Sequence, residues 1–368
     1  MIQQSATETS HRPRVLYVSG DPASRAHEHL EQLLALQSVC IQTSLANLKD
    51  IQQAAPEAAD IVVLFRVPWS SSVSRFVARC RASGTAVGFF IDDLVFDPSL
   101  MTPDICDYMR ILDDQMRRAW IARVEGYART FSESDFALVV TETLAEKARK
   151  LGKETHVLNY CGNEQMIEAA DAALQKLSTK PSDADGILRV GYASGTPTHQ
   201  RDFSVVAPVL GELLKSRPKM VLTIVGNLNL EEFPEMLPSS QQIETRPTVP
   251  YMDLFHEYAR FDVNIVPLQC GNPFCESKTA MKYYEAALVG VPTVSAATQP
   301  YQTAARQGVT GFCAQTRDEW RTALAFLLDH PAERVRIGRK ARLDALSQIR
   351  SKKHAETALR AFRSILNA

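Results

Sequence analysis

Apolar positions along this chain fall into two patterns. Some form short unbroken runs, and others recur every three or four residues over longer stretches. Unbroken runs suit strands buried on both faces, and the spaced pattern suits helices packed against them. Arg14-Val15-Leu16-Tyr17-Val18-Ser19-Gly20 is the first run, and 23–37 follows as a helix with Leu30, Leu33, Leu34 and Leu36 on one side. Further strands are predicted at 39–43, 61–65, 86–91, 137–141 and 156–158, with helices at 46–54, 71–81, 104–130 and 144–150. A second series has strands at 188–193, 220–225, 243–246, 263–266, 293–295 and 311–314. Its helices are expected at 205–216, 252–260, 279–289, 318–328 and 332–348, and a last helix, 353–366, closes the chain. Strands alternating with helices predict parallel sheets covered on both faces.

The predicted class is therefore α/β, with two Rossmann-like doubly wound parallel-sheet domains facing a cleft. A length of 368 residues suits two such domains. The expected division is a disordered lead-in over 1–12, an N-terminal domain over 13–163, and a helix and linker over 164–186. A C-terminal domain follows over 187–350, and the helix of 351–368 is expected to return toward the N-terminal domain. Ligands of open α/β sheets bind beyond the carboxyl ends of the strands, and two facing domains make a deep pocket there.

Composition narrows the classes. A net charge of −1 gives no basic field for nucleic acid, so no nucleic-acid partner is expected. Seven cysteines without a CxxC pair fit neither a disulfide framework nor a zinc cluster. The polar N-terminus lacks the apolar core of a secretory signal, and no run of about 18 apolar residues occurs. A cytoplasmic location follows as an expectation, with peripheral membrane contact left open.

Two segments carry candidate chemistry. In Val190-Gly191-Tyr192-Ala193-Ser194-Gly195-Thr196-Pro197-Thr198-His199-Gln200-Arg201-Asp202-Phe203, a strand ends in small residues just before a helix. Ser194 and Gly195 allow backbone to approach a ligand, while His199 and Arg201 add donors for phosphate. An ordinary capped turn with a surface Arg reads the same residues equally well. A hydrolytic triad of Ser194, His199 and Asp202 is disfavoured by their closeness on one loop and by the absence of GxSxG.

The second segment runs from Asn272 through Glu276, Ser277, Lys278 and Thr279 to Glu285, Gly290 and Pro292. Ser277 or Thr279 is the expected N-cap, and Gly290 with Pro292 ends the helix. Glu285 falls mid-helix among Tyr284, Ala286 and Ala287, where a buried carboxylate needs a partner. Ligand hydroxyls would serve, as would a salt bridge to Lys278 or Lys282. Lys278, at the expected helix start, opposes the helix dipole unless an anion binds there.

Together the two segments resemble the C-terminal domain of GT-B-fold glycosyltransferases, in particular the family 4 group of retaining enzymes. The resemblance extends along nearly the whole chain. That group carries two glutamates flanking seven residues, then Gly-x-Pro before a strand. The second glutamate maps onto Glu285, and the resemblance implies that it binds the nucleotide ribose. The first falls at Ser277, one residue from Glu276, so either Glu276 or the Ser277–Lys278 pair takes its place. The group's Arg after the first strand of this domain falls near Tyr192 and is missing, while its Lys falls near Arg201. Arg201 and Lys278 are the expected neutralisers of a departing diphosphate.

In the N-terminal half, Ser19-Gly20-Asp21 resembles the group's donor-approaching glycine loop, with an ordinary strand-to-helix turn as the alternative. Asp92 and Asp93 stand where the group has a catalytic-site His. They read as orienters of sugar hydroxyls, as a turn cap or, least well, as a metal site. Adjacent strand residues point oppositely, so no metal is expected. His27 and His29 read as surface residues, or a His in this early helix could reach the acceptor. The resemblance implies a retaining glycosyltransferase, of the hexosyltransferase type. It would have a nucleotide-diphosphate sugar as donor substrate, no cofactor, and a glycan or lipid-linked acceptor. A nucleotide-sugar 2-epimerase of the same fold, or a non-catalytic sugar-nucleotide-binding protein, is the alternative.

Overall fold

The computed structural model describes residues 12–159, 161–178, 186–195 and 198–368. The expected lead-in, apart from residue 12, lies outside the described residues, as do 179–185 of the expected linker. Six strands build the first sheet: β1 (Arg14–Ser19), β2 (Gln42–Asn47), β3 (Ile61–Phe65), β4 (Ala86–Ile91), β5 (Phe136–Val139) and β6 (Thr155–Val157). Six more build the second: β7 (Leu188–Gly195), β8 (Met220–Gly226), β9 (Ile243–Arg246), β10 (Val263–Val266), β11 (Thr293–Ala296) and β12 (Phe312–Ala314). Every pairing in both sheets is parallel. The doubly wound class read from the sequence is thus the class observed.

The orders are β2-β1-β3-β4-β5-β6 and β12-β11-β10-β7-β8-β9. Winding reverses between β1 and β3 in one sheet and between β7 and β10 in the other. Helices leave a crevice at such a reversal, at the carboxyl ends of the strands. All five residues of β3 are buried, which is why this apolar run could only be a central strand. Phe89 on β4 is fully buried, with its ring 6.2 Å from Phe131 and edge-on to it. Each such ring contributes about 1.5–3 kcal/mol by its burial.

One expectation fails at the sheet edge. The segment predicted as strand 39–43 and helix 46–54 is instead β2 followed by a short turn, Leu48–Asp50. β2 is half-exposed, so it lacks the apolar run of a buried strand. Its pairing with β1, from Arg14 opposite Gln42 to Ser19 opposite Asn47, overrides the helical propensity of Leu, Ala and Lys. The long helix expected over 104–130 is split into Tyr108–Ile111 and Asp114–Glu133, and Asp113 caps the second piece through the Met116 amide.

The closing helix, Lys353–Leu366, meets the N-terminal domain, where the Cys40 thiol lies 3.2 Å from the Ala355 carbonyl. Side chains also tie the two domains beside the crevices. Thr141 Oγ1 donates to the Ser277 carbonyl at 3.2 Å, and Asn272 Nδ2 to the Ile105 carbonyl at 3.0 Å.

Candidate functional site

A cavity of about 620 Å³ lies between the domains at the two reversals. Strand ends bring Arg66, Asp92 and Asp93 to it from one domain, and Ser194 and Gly195 from the other. The segment leading into helix Met281–Leu288 supplies Lys278, and the helix itself supplies Lys282 and Glu285. A second cavity of about 540 Å³ shares Ser24, Arg66, Asp93, His199 and Lys278 with the first.

Glu285 is buried yet lines the first cavity. Neither lysine salt bridge considered from the sequence holds it. Its Oε1 accepts the Tyr251 hydroxyl at 2.9 Å and its Oε2 the Tyr258 hydroxyl at 2.8 Å. Each carboxylate oxygen has two lone-pair sites, so both keep room for a ligand hydroxyl. Two neutral donors fix the carboxylate in place without cancelling its charge.

Lys278 sits over the Phe274 ring, 4.7 Å from its centroid, and 3.7 Å from Asp93. It does not start a helix, which corrects the dipole argument. The helix begins at Met281, and its N-cap is Ala280, with no side-chain hydrogen bond. Neither Ser277 nor Thr279 caps it. Ser277 is buried and donates instead to the Pro273 carbonyl at 2.8 Å. Burial opposes the charge on Lys278, but Asp93 and Asp202 outweigh it and raise the ammonium's pKa.

Arg66 escaped the sequence reading. It follows β3 with φ of 49°, a left-handed conformation costly for a side chain other than glycine. Its Nε reaches Asp92 at 2.5 Å, and an Nη reaches Asp93 at 3.0 Å. The two acids therefore converge on one cation. They follow β4 rather than lying in it, so the alternation argument does not apply to them. Burial disfavours ionised Asp93, yet Lys278 and Arg66 hold its carboxyl below the usual range. An Arg at the end of a wholly apolar strand was the available signal.

Three expected site residues lie elsewhere. Gly20 faces its own domain: a Cβ there would stand 2.1 Å from the Arg66 carbonyl oxygen, so this glycine permits close passage of backbone. Arg201 lines neither cavity. Its amide donates to Asp107 at 3.2 Å and its guanidinium to the Asp104 carbonyl at 3.0 Å, making it an interdomain strut. Glu276 accepts the Gly271 amide at 2.9 Å and the Gln299 amide at 3.4 Å, so its carboxylate serves backbone outside the cavities. His29, read as a surface residue, lines the first cavity.

Ser194 donates to the Asn227 carbonyl and not to His199, so no triad forms. His199 and Asp202 do pair, at 2.9 Å between Nδ1 and a carboxylate oxygen. Burial pushes the His199 imidazole below its ordinary pKa of 6.5 despite Asp202. Burial also works against Asp202, yet its bond from His199 brings the carboxyl down to about 2 from 3.8. The unfolded chain binds the His199 proton more readily than the folded one, so stability should fall as pH drops below about 6.5. A further loss should follow from pH 3.8 toward 2 as Asp202 takes up its proton. Urea unfolding at pH 7.5 and 5.5 checks the first part, which His199→Gln should flatten.

Lys282, four residues beyond Lys278, completes the positive side, its Nζ 5.6 Å from the centre of the Tyr192 ring. The first cavity thus gathers Lys278, Lys282 and the fixed carboxylate of Glu285 in one space, the last two from the same helix. Among the described residues, no group of three or more His, Cys, Asp or Glu is placed to hold a metal ion. No described helix is long and apolar enough to cross a membrane.

Residues 207–360 match the glycosyl transferase-like family. Solved structures match over almost the full chain. HepE of Anabaena, in complex with UDP-glucose, has a TM-score of 0.62 at 11% identity, covering 96% of this chain and 100% of that one. The fold is that of the GT-B glycosyltransferases. Sucrose-phosphate synthase of Thermosynechococcus elongatus has a TM-score of 0.63 at 13% identity, over 97% of this chain and 100% of that one. A UDP-N-acetylglucosamine 2-epimerase-like protein of Listeria monocytogenes, at 13% identity and 97% of both chains, has a TM-score of 0.53. No curated protein matches the sequence. The matched segment of this GT-B chain contains Lys278, Lys282 and Glu285, whereas Arg66, Asp92 and Asp93 come from the facing domain.

Proposed function

We propose that this chain is a cytoplasmic glycosyltransferase, moving a hexosyl group from a nucleotide-diphosphate sugar to a glycan or glycolipid acceptor. The observation that carries the reading is the first cavity, which a tyrosine-held carboxylate lines together with Lys278 and Lys282. In this reading Glu285 accepts the two ribose hydroxyls, and Gly195, with φ of 77°, lets the strand end pass close to the phosphates. Lys278 and Lys282 stabilise the charge that develops on the departing diphosphate. UDP is the nucleotide of first choice, because HepE holds UDP-glucose in a chain of the same fold.

The proposal includes retention of anomeric configuration. Asp92 and Asp93 are engaged by Arg66 and are not offered as nucleophiles. The leaving phosphate, on the face from which it departs, then takes the acceptor proton. Lysines supply the positive charge, so no divalent ion is required. An epimerase would act on donor alone; the lower similarity to the epimerase-like protein makes it the second reading.

Thermal unfolding with UDP, GDP, TDP and UDP-glucose tests the proposal. A ligand present at 100 times its dissociation constant adds about 2.7 kcal/mol of stability. UDP or UDP-glucose should raise the midpoint by several degrees, with and without EDTA. No shift from any nucleotide contradicts the reading, and dependence of turnover on added Mg²⁺ contradicts the role given to the lysines.

A further inference from the structure

Both lysines of the first cavity rest on aromatic rings. Lys278 Nζ lies over Phe274, and Lys282 Nζ lies over Tyr192, 5.6 Å from its centroid. The two platforms differ in one respect. Asp93 also holds Lys278, at 3.7 Å, whereas the Tyr192 ring brings no charge of its own. A ring attracts an ammonium through the negative face of its π system and does not cancel the positive charge. The Tyr192 contact thus costs Lys282 none of its attraction for an anion. Position along the helix shows why such a hold is needed. Lys282 is the second residue of Met281–Leu288, in a first turn without acidic residues, where the helix dipole disfavours a cation. Its long side chain also has many rotamers to lose when it is ordered by a ligand.

Tyr192 is a rigid platform. It lies on β7 opposite Ile224 of β8 and is buried. Its ring centre is 5.1 Å from that of Phe203, which lies 5.0 Å from that of Phe233, and both phenylalanines are buried. A side chain packed this closely has one place to be. The Tyr192 hydroxyl makes no hydrogen bond among the described residues, so the ring is what this residue contributes. Tyr192 lines neither cavity, and any effect it has on a ligand must pass through a neighbour.

We propose that Tyr192 is a positioning residue for the diphosphate: its ring holds the Lys282 ammonium in place in the first cavity before the ligand arrives. The proposal rests on the glycosyltransferase reading and adds to it a residue that does not touch the donor. A charge already in place loses little freedom on binding and needs little rearrangement as the leaving group forms. The design matches the one at Glu285, where neutral tyrosine hydroxyls fix a charge without cancelling it. A Tyr192 that served only to fill the core would affect stability and leave Lys282 to act independently of it.

The test is calorimetric titration of UDP into the full chain and four variants: Tyr192→Phe, Tyr192→Met, Lys282→Met, and Tyr192→Met combined with Lys282→Met. Methionine fills an apolar site adaptably but offers no ring face. Tyr192→Met should weaken UDP by about 3–10-fold, and Tyr192→Phe, which keeps the ring, should stay within about twofold of wild type. Lys282→Met should weaken UDP by about tenfold or more. The double variant should bind UDP within about twofold of Lys282→Met alone, because the ring then has no ammonium to hold. Additive losses overturn the proposal, since Tyr192 would then act without Lys282. It is also overturned if Tyr192→Met binds UDP as tightly as wild type, or if Tyr192→Phe is as weak as Tyr192→Met. Should Tyr192→Met fail to fold, NMR of the wild-type chain carrying ¹³Cε-lysine decides, with the signal assigned through Lys282→Arg. The ring current of Tyr192 should move the Lys282 ε-methylene protons upfield of their position in the urea-unfolded chain, and an unmoved signal overturns the proposal. A wild-type chain that binds no UDP strikes the donor reading and this proposal with it. Wild-type binding that Tyr192→Met leaves unchanged strikes the role of Tyr192 alone.

Discussion

Lys278→Ala is expected to reduce sugar transfer by about 10²–10³-fold, the loss typical when one charge-stabilising donor is removed from a transition state. The ammonium is held by Asp93 and by the Phe274 ring at the junction of the two cavities. It therefore needs little rearrangement when charge develops on a phosphate oxygen beside it. Lys278→Arg keeps the charge and should recover much of the loss. The relevant readout is turnover at saturating donor, since an interaction made mainly in the transition state lowers kcat. A fall in donor affinity with unchanged turnover would assign Lys278 to ground-state binding only.

Arg66→Ala should be the most damaging single change for stability, at about 3–5 kcal/mol, because it leaves the largely buried Asp92 without its cation and Asp93 with Lys278 alone. Asp92 and Asp93 both lean on this one guanidinium, and Asp92 is 12% exposed. The loss should shift urea unfolding strongly, and Arg66→Ala combined with Asp92→Asn should be markedly less damaging than Arg66→Ala alone. Equal damage in the single and double variants would show that the ion pairs are not the cause. The backbone strain at Arg66 fits the same picture, since surrounding contacts must hold its φ of 49°.

Much of this arrangement was legible in the sequence, and the failures have physical causes. Buried strands announce themselves by apolar runs: β3 and β10 fall on their expected residues, whereas the half-exposed β2 does not. Glu285 stood out because a carboxylate in an apolar helix is costly, and the same reasoning could have found its partners. Tyr251 and Tyr258 are seven residues apart, the spacing that returns to one helix face, and both hydroxyls needed acceptors.

Phase explains the misplaced Arg201. In the short helix Gln200–Ser204, Asp202 turns inward to His199, so the neighbouring Arg201 turns out toward Asp104 and Asp107. Glu276 is misplaced for a local reason: Asn272 starts a separate helical turn, Pro273–Glu276, that brings the carboxylate to the Gly271 amide. Arg66, Asp92 and Asp93 were harder. Their pairing joins the ends of two adjacent strands, β3 and β4, and spacing along the chain carries no trace of it.

The central claim is that Glu285 receives the ribose of a nucleoside diphosphate between the two domains. Calorimetric titration of UDP into the wild-type chain and Glu285→Gln tests it most directly. One tyrosine hydroxyl can still donate to the amide oxygen and the other can turn to accept from the amide NH2, so the fold should persist while one strong acceptor is lost. Affinity should fall by about tenfold, in line with about 1.5 kcal/mol for a hydrogen bond to a charged group. Equal affinity in the two proteins would contradict the claim.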